Sequence, residues 1–505
     1  MKGLSILLLG IKLITMFSNK SLKAQTLSGI AWRGSSDVIQ QVLQIIFTMI
    51  LARLLSKSDF GLVTMAMLVN RFVVSMTNIG FGGAIIQSQT INKNQISAIF
   101  YIQLALNVFL TIVVFFGANI AALFFKEPEL VPLIKGFSFI ILLQSLQFPN
   151  ILLRKELKFK SFSLIEIYSL LLSNGIATVL AVQGFGVWAL VWRLIIQRLI
   201  FGLLSFYYGK WIPIKPEFKG IKPLFKFGFN MLGSNIVYYF AENLVAIMTG
   251  KYLGKDVLGL FNIAYNLAII PASKIKNVIA SVLTPGFSKI QDNVKKNKEN
   301  YSEALRITSL FFIPFMVMLM AISTNLILVF YGLKWQDARN MLLVLSLVGI
   351  LRGISSILRS AIIAKGKSSI IFISTIFELL PSLPIMYLLM PYYGVYGLIF
   401  GYLAGALIGW VYTTFHYNKI IKFKNGVLKT IKSALGISVI LFFLIYCFNY
   451  LQLKPIVVLI GQMIFGLVFF VVLLRYFENK LYKNFILRIK SVMYQSLKRL
   501  KFLNV

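Results

Sequence analysis

The sequence predicts an all-α integral membrane protein of about fourteen transmembrane helices. They form two six-helix lobes related by a pseudo-two-fold along the membrane normal, plus two C-terminal helices. Three observations carry that expectation. Apolar blocks of about 20 residues recur along nearly the whole chain, and one helical crossing of a bilayer core needs about that many. Basic residues gather in every second connection. The phrase RLLSKSDFGLVTMA, Arg53 to Ala66, comes round again 198 residues later as KYLGKDVLGLFNIA, Lys251 to Ala264.

Composition narrows the class. Of 505 residues 58% are hydrophobic, and the mean hydropathy is +0.83. A soluble chain would be roughly half apolar and would show amphipathic helices, of which almost none occur here. Lys and Arg number 51 against 15 Asp and Glu, a formal charge of +36. Those charges sit in short loops between spans, where they set topology, so the balance does not indicate nucleic acid. A single cysteine, Cys447, and a single histidine, His416, exclude a disulfide framework, a zinc cluster and a Cys/His catalytic pair.

The elements follow in order. Residues 1–20 form a leader whose run SILLLGIKLITMF is interrupted by Lys12 and lacks a small-x-small cleavage site, so it is not a span. The N-lobe, 21–209, holds spans near 27–53, 60–88, 95–125, 130–153, 162–182 and 186–209. A linker, 210–223, leads to the C-lobe, 224–417, with spans near 224–250, 257–281, 304–331, 341–364, 369–390 and 394–417. Spans 428–451 and 455–476 complete 418–476, and a basic amphipathic tail, 477–505, suits the anionic inner leaflet. Lys20 and Lys23, Arg154 to Lys160, Lys210 to Lys222, Lys289 to Lys298 and Lys419 to Lys429 alternate with near-neutral connections. The positive-inside rule then places both termini in the cytoplasm, which requires an even number of spans.

Both copies of the repeated phrase sit at the outer turn after the first span of a lobe. A second echo, GFGVWALVW at Gly184–Trp192 and YYGVYGLIF at Tyr392–Phe400, opens spans six and twelve. At 100° per residue Arg33, Asp37, Gln40, Gln44 and Thr48 share one stripe of span one. Ser234, Asn235, Tyr238, Glu242 and Thr249 share one of span seven, and the 198-residue offset carries Gln44 onto Glu242. Polar faces in hydrocarbon cost several kcal/mol per unsatisfied group, roughly, unless they line a cavity or bond another helix. The other deep charges are Arg71, Arg193, Arg198, Arg352, Arg359 and Glu378. Arg71 and Arg352 lie about eleven residues into their spans, ~16 Å deep at 1.5 Å per residue, and guanidinium forks suit a phosphate. Arg352 has a second reading, as the partner of Glu378. Glu166, Lys226 and Lys274 fall near the inner face, where long side chains snorkel.

The span count and the turn L-[SG]-K-x-x-[FL]-G-L-x-x-x-A resemble the multidrug/oligosaccharidyl-lipid/polysaccharide (MOP) flippase superfamily. The opening from Ser21, GFGGAIIQ after span two and GVWALVW at span six are similar to its polysaccharide-export branch, the Wzx-type flippases. The resemblance runs from Ser21 to Lys424; the last two spans match only generically, and the leader has no counterpart. It implies a carrier, with no cofactor, that moves undecaprenyl-diphosphate-linked oligosaccharide units across the inner membrane by rocking its lobes. On that resemblance Arg33, Asp37, Arg71, Glu242 and Arg352 are expected to line the cavity, and the two polar faces add Gln40, Gln44 and Tyr238. The drug-exporting branch also has an acidic residue in its first span, which leaves coupling by H+ or Na+ open for Asp37, with Glu378 as a second candidate. Partners beyond the lipid-linked oligosaccharide and membrane lipids would be a polysaccharide polymerase and chain-length machinery. Two other readings remain. A cation-coupled drug exporter would favour acidic, aromatic walls; a membrane polymerase or ligase would favour a long outer loop, and the outer loops here are short.

Overall fold

Apolar runs of this length close their backbone hydrogen bonds internally, and the computed structural model follows that rule. It describes residues 20–77, 81–87, 91–219, 222–288, 294–421, 426–479 and 483, and among them it contains helices and no strand. The predicted leader before Lys20 and the tail beyond 479, residue 483 apart, lie outside the described residues.

The helices run α1 (Lys20–Leu54), α2 (Lys57–Thr77), α3 (Phe81–Gln87), α4 (Lys93–Phe116), α5 (Ala118–Phe125), α6 (Leu130–Leu143), α7 (Pro149–Lys155), α8 (Phe159–Val182) and α9 (Val187–Gly209). They continue as α10 (Lys222–Ser288), α11 (Val294–Ala321), α12 (Ser323–Phe330), α13 (Ala338–Ala364), α14 (Ser368–Tyr393), α15 (Val395–Ile421), α16 (Val427–Tyr446) and α17 (Pro455–Phe477). Among the described residues 12 stretches are long and apolar enough to cross a membrane. Predicted spans seven and eight are the two helical arms of α10, which meet at a kink where Gly254 takes a non-helical conformation, φ 82° and ψ 179°, open to glycine. Predicted spans three and nine are each divided in two, at Gly117 and at Ile322. Span four bends through a 3-10 turn at Gln144–Gln147.

Packing groups the described residues into two compact units, 20–263 with Leu379–Tyr402, and Ala264–Glu378 with those from Leu403 onward. The first arm of α10 packs with the N-terminal helices. The repeated phrase supplies the reason. A Cβ on Gly61 would collide with the backbone of Lys255, and one on Gly259 with the backbone of Lys57. The 198-residue offset pairs Lys57 with Lys255 and Gly61 with Gly259. Each phrase thus packs its glycine against its counterpart's lysine, the reciprocal pattern of a local two-fold. Beside this crossing the Lys255 ammonium bonds Glu129 at 2.9 Å and Glu127 at 3.2 Å. The Glu129 hydrogen bond, ahead of Glu127, raises the pKa of Lys255 against some desolvation. At the other end of this unit an Asn92–Gln95 capping box starts α4, and Gln95 Nε2 donates to the carbonyl of Lys219 at 3.0 Å.

The second unit has one continuous core, from Ala272 through Met316, Leu358 and Tyr417 to Leu474. Two polar ties fasten α17 into it. Buried Gln462 bonds Asn325 at 3.1 Å and Asn449 at 3.1 Å, and the Arg306 guanidinium forks onto the Glu478 carboxylate, with Nε to Oε1 at 3.0 Å.

Candidate functional site

Helix α1 carries its polar stripe against α8, and there the stripe finds a partner. Arg33 pairs with Asp37 one turn on at 3.0 Å and donates to Glu166 Oε2 on α8 at 2.5 Å. Gln40 Nε2 donates to the same Glu166 oxygen at 2.9 Å and to Ser36 Oγ at 2.7 Å. Phe162, also on α8, takes the Arg33 guanidinium at 4.9 Å and that of Arg154 at 4.4 Å from its ring centroid. The Lys160 ammonium lies 5.4 Å from the ring of Trp32. One aromatic ring thus holds two like charges, which Asp37 and Glu166 make tolerable. Gln44 and Thr48 do not join this network; the Thr48 hydroxyl donates to the carbonyl of Gln44 at 2.6 Å.

A second cluster lies within the other unit. Arg352 Nε donates to Glu378 Oε1 at 2.7 Å, and its Nη2 reaches the same oxygen. Arg359 Nη2 divides itself between Ser374 Oγ at 3.1 Å and Glu378 Oε2 at 3.4 Å. Ser374 in turn meets Thr413 Oγ1 of α15 at 2.7 Å. Glu378 therefore holds two guanidiniums spaced seven apart on α13, and it is itself 7% exposed. The Nε of Arg359 is buried and makes no hydrogen bond.

The remaining sequence candidates fall elsewhere. Arg71 is exposed and pairs with no carboxylate among the described residues. Tyr238 and Glu242 are exposed on the first arm of α10, flanking buried Tyr239, whose hydroxyl donates to the carbonyl of Leu68 at 2.8 Å. Of the sequence candidates, Arg33, Asp37 and Gln40 come together, and so do Arg352 and Glu378. Sequence reasoning missed Glu166, which it left with the snorkelling residues, and took Arg154 for a loop charge. The available signal was the stripe itself: Arg33, Asp37 and Gln40 need a polar partner on a neighbouring helix. Among the described residues no group of three or more His, Cys, Asp or Glu could hold a metal ion.

Comparison with known proteins agrees with this architecture. Over 405 residues the chain is 28% identical to the lipopolysaccharide biosynthesis protein WzxC of Escherichia coli (strain K12), covering 78% of this chain and 81% of that protein. Over 356 residues it is 29% identical to the teichuronic acid biosynthesis protein TuaB of Bacillus subtilis (strain 168), covering 70% and 74%. Its fold matches that of the lipid II flippase MurJ in an inward closed conformation, with TM-score 0.72, 18% identity, and 90% and 99% of the two chains covered. An inward-facing multidrug resistance MATE transporter of the MOP superfamily matches with TM-score 0.61 and 18% identity over 76% of this chain and 94% of that one. A family model described as polysaccharide biosynthesis protein matches residues 50–340, more than half of the sequence. The chain is a multi-pass membrane protein and belongs to the polysaccharide biosynthesis protein family.

Proposed function

We propose that this protein is a flippase that carries lipid-linked oligosaccharide, anchored through an undecaprenyl diphosphate, from the inner to the outer leaflet of the bacterial inner membrane by alternating access. The family and the names of its relatives support surface polysaccharide synthesis as the setting. The observation that carries the cargo's charge is the surplus of intramembrane guanidinium. Arg71, Arg193 and Arg198 make no ion pair among the described residues, and Arg359 reaches its carboxylate only at 3.4 Å. Charged side chains in a span are costly and mark substrate paths, and arginine forks bind diphosphate oxygens. A cationic drug would need the opposite balance. We expect no enzymatic step, both termini in the cytoplasm, and polymerase and chain-length proteins as partners. Asp37 and Glu378 are candidates for H+ or Na+ coupling, and each would have to be released by its arginine to serve.

A deletion strain tests this reading. Lipid-linked oligosaccharide should accumulate on the cytoplasmic leaflet and surface polymer should vanish, with both effects reversed by the wild-type gene. Normal surface polymer in the deletion strain, with no accumulated intermediate, would defeat the proposal.

A further inference from the structure

Near the outer turn of the first unit lies an open groove of about 470 Å³, lined by Phe124, Leu244, Ile247, Leu383 and Tyr387, with Lys251 as its one charged residue. The volume lies in the ~300–1,000 Å³ range of sites that hold small ligands. Its walls come from α5, the first arm of α10 and α14. None of the lining residues belongs to either arginine cluster, although α14 also carries Ser374 and Glu378.

The charge at the groove is unspent. The Lys251 ammonium rests over the Phe124 ring at 4.3 Å and reaches the Tyr252 ring at 5.5 Å. Among the described residues no carboxylate pairs with it. The nearby acids are already engaged, since Glu127 and Glu129 both bond Lys255. Tyr252 and Tyr387 are exposed at 49% and 64% beside Lys251, an arrangement suited to the boundary between headgroups and hydrocarbon. An apolar trough in that zone, with a single unpaired cation, complements a molecule with one anionic head and a hydrocarbon chain. A ring contact leaves the ammonium exchangeable, so a phosphate could draw it away from Phe124.

We infer that this groove is a binding site for an anionic glycerophospholipid of the bilayer, the phosphate held by Lys251 and one acyl chain lying along Leu244, Ile247 and Leu383. The lining residues are distinct from the arginines invoked for transport, and the site would let the lipid composition of the outer leaflet act on the carrier.

The test uses the full chain in nanodiscs with phosphatidylglycerol carrying a photoreactive group on its acyl chain. Crosslinks are mapped by peptide mass spectrometry. They should concentrate in 244–252 and 383–387, and the matching phosphatidylcholine probe should give roughly fivefold fewer, as expected for one cation near an anionic headgroup. Lys251→Gln should reduce the phosphatidylglycerol crosslinks to the phosphatidylcholine level, while Lys126→Gln leaves them unchanged. Leu383→Trp, which fills the groove, should reduce both probes. Equal labelling by the two probes, or unchanged labelling in Lys251→Gln, overturns the inference. If Lys251→Gln fails to fold, the wild-type ratio and Leu383→Trp still decide.

Discussion

Arg33 and Glu166 stand 133 positions apart, and their contact decides how the polar stripe of span one is satisfied. Their side chains are 35% and 17% exposed, so the pair lies between a surface bridge and a buried one. A double-mutant cycle of Arg33→Ala and Glu166→Ala, read from thermal unfolding in detergent, should give a coupling of roughly 1–3 kcal/mol. The Arg352–Glu378 pair allows a sharper distinction. Arg352→Gln alone should lower both the membrane level and export, because it leaves Glu378 with Arg359 only. The charge-neutral pair Arg352→Gln, Glu378→Gln should restore the membrane level but not export; recovered export would make the arginine purely structural. Lys255 provides a pH signature. Its folded pKa is raised above 10.5, so its ion pairs stabilise the fold below that value and are lost as pH rises through the folded pKa. The unfolding difference between wild type and Lys255→Gln, no more than ~1 kcal/mol for so accessible a pair, should hold steady up to pH ~9 and narrow above pH ~10.5. Deep arginines were legible in the sequence because charge inside an apolar run is conspicuous. The pairing of Arg352 with Glu378 was legible as well, whereas that of Arg33 with Glu166 was not, because a contact across 133 positions leaves no periodic trace.

Among the elements, the crossing at Gly61 and Gly259 is the most constrained. A helical Gly→Ala change usually gains ~0.5–1 kcal/mol, but overlap with a neighbouring backbone costs ~1–3 kcal/mol. Overlap wins here. Gly61→Ala or Gly259→Ala should lower the unfolding midpoint, whereas Gly175→Ala, with nothing within 4 Å of the added carbon, should leave it unchanged or raise it. Equal behaviour at all three positions would remove the close-approach explanation. The phrase and its repeat were visible as letters, and so was the register that pairs them. That the two copies pack on each other, and so tie α10 to the N-terminal helices, was not visible. Repeat spacing fixes equivalence, not contact. The breaks at Gly117, Gln144–Gln147 and Ile322 were not visible for a related reason, since hydropathy averages over one or a few residues.

For the whole molecule, the alternation of basic connections leads to an orientation that labelling can check. In a Cys447→Ser background, Asp256→Cys and Tyr392→Cys should react with an impermeant thiol reagent in intact cells. Lys158→Cys and Lys367→Cys should react only after lysis. The inverted pattern would reverse the orientation, and a mixed one would break the fourteen-span count that takes the two arms of α10 as separate crossings. Fold class was the most legible property, because a bilayer leaves long apolar helices as nearly the only economical choice. The surplus of arginine over intramembrane carboxylate was legible too, and it is the ground for proposing an anionic cargo. The most direct measurement of the central claim is leaflet transfer. Purified protein in vesicles containing fluorescent undecaprenyl-diphosphate oligosaccharide should make the inner-leaflet pool accessible to an external quencher. Arg71→Ala at equal incorporation should slow that transfer at least tenfold. Transfer no faster than in protein-free vesicles would contradict the account.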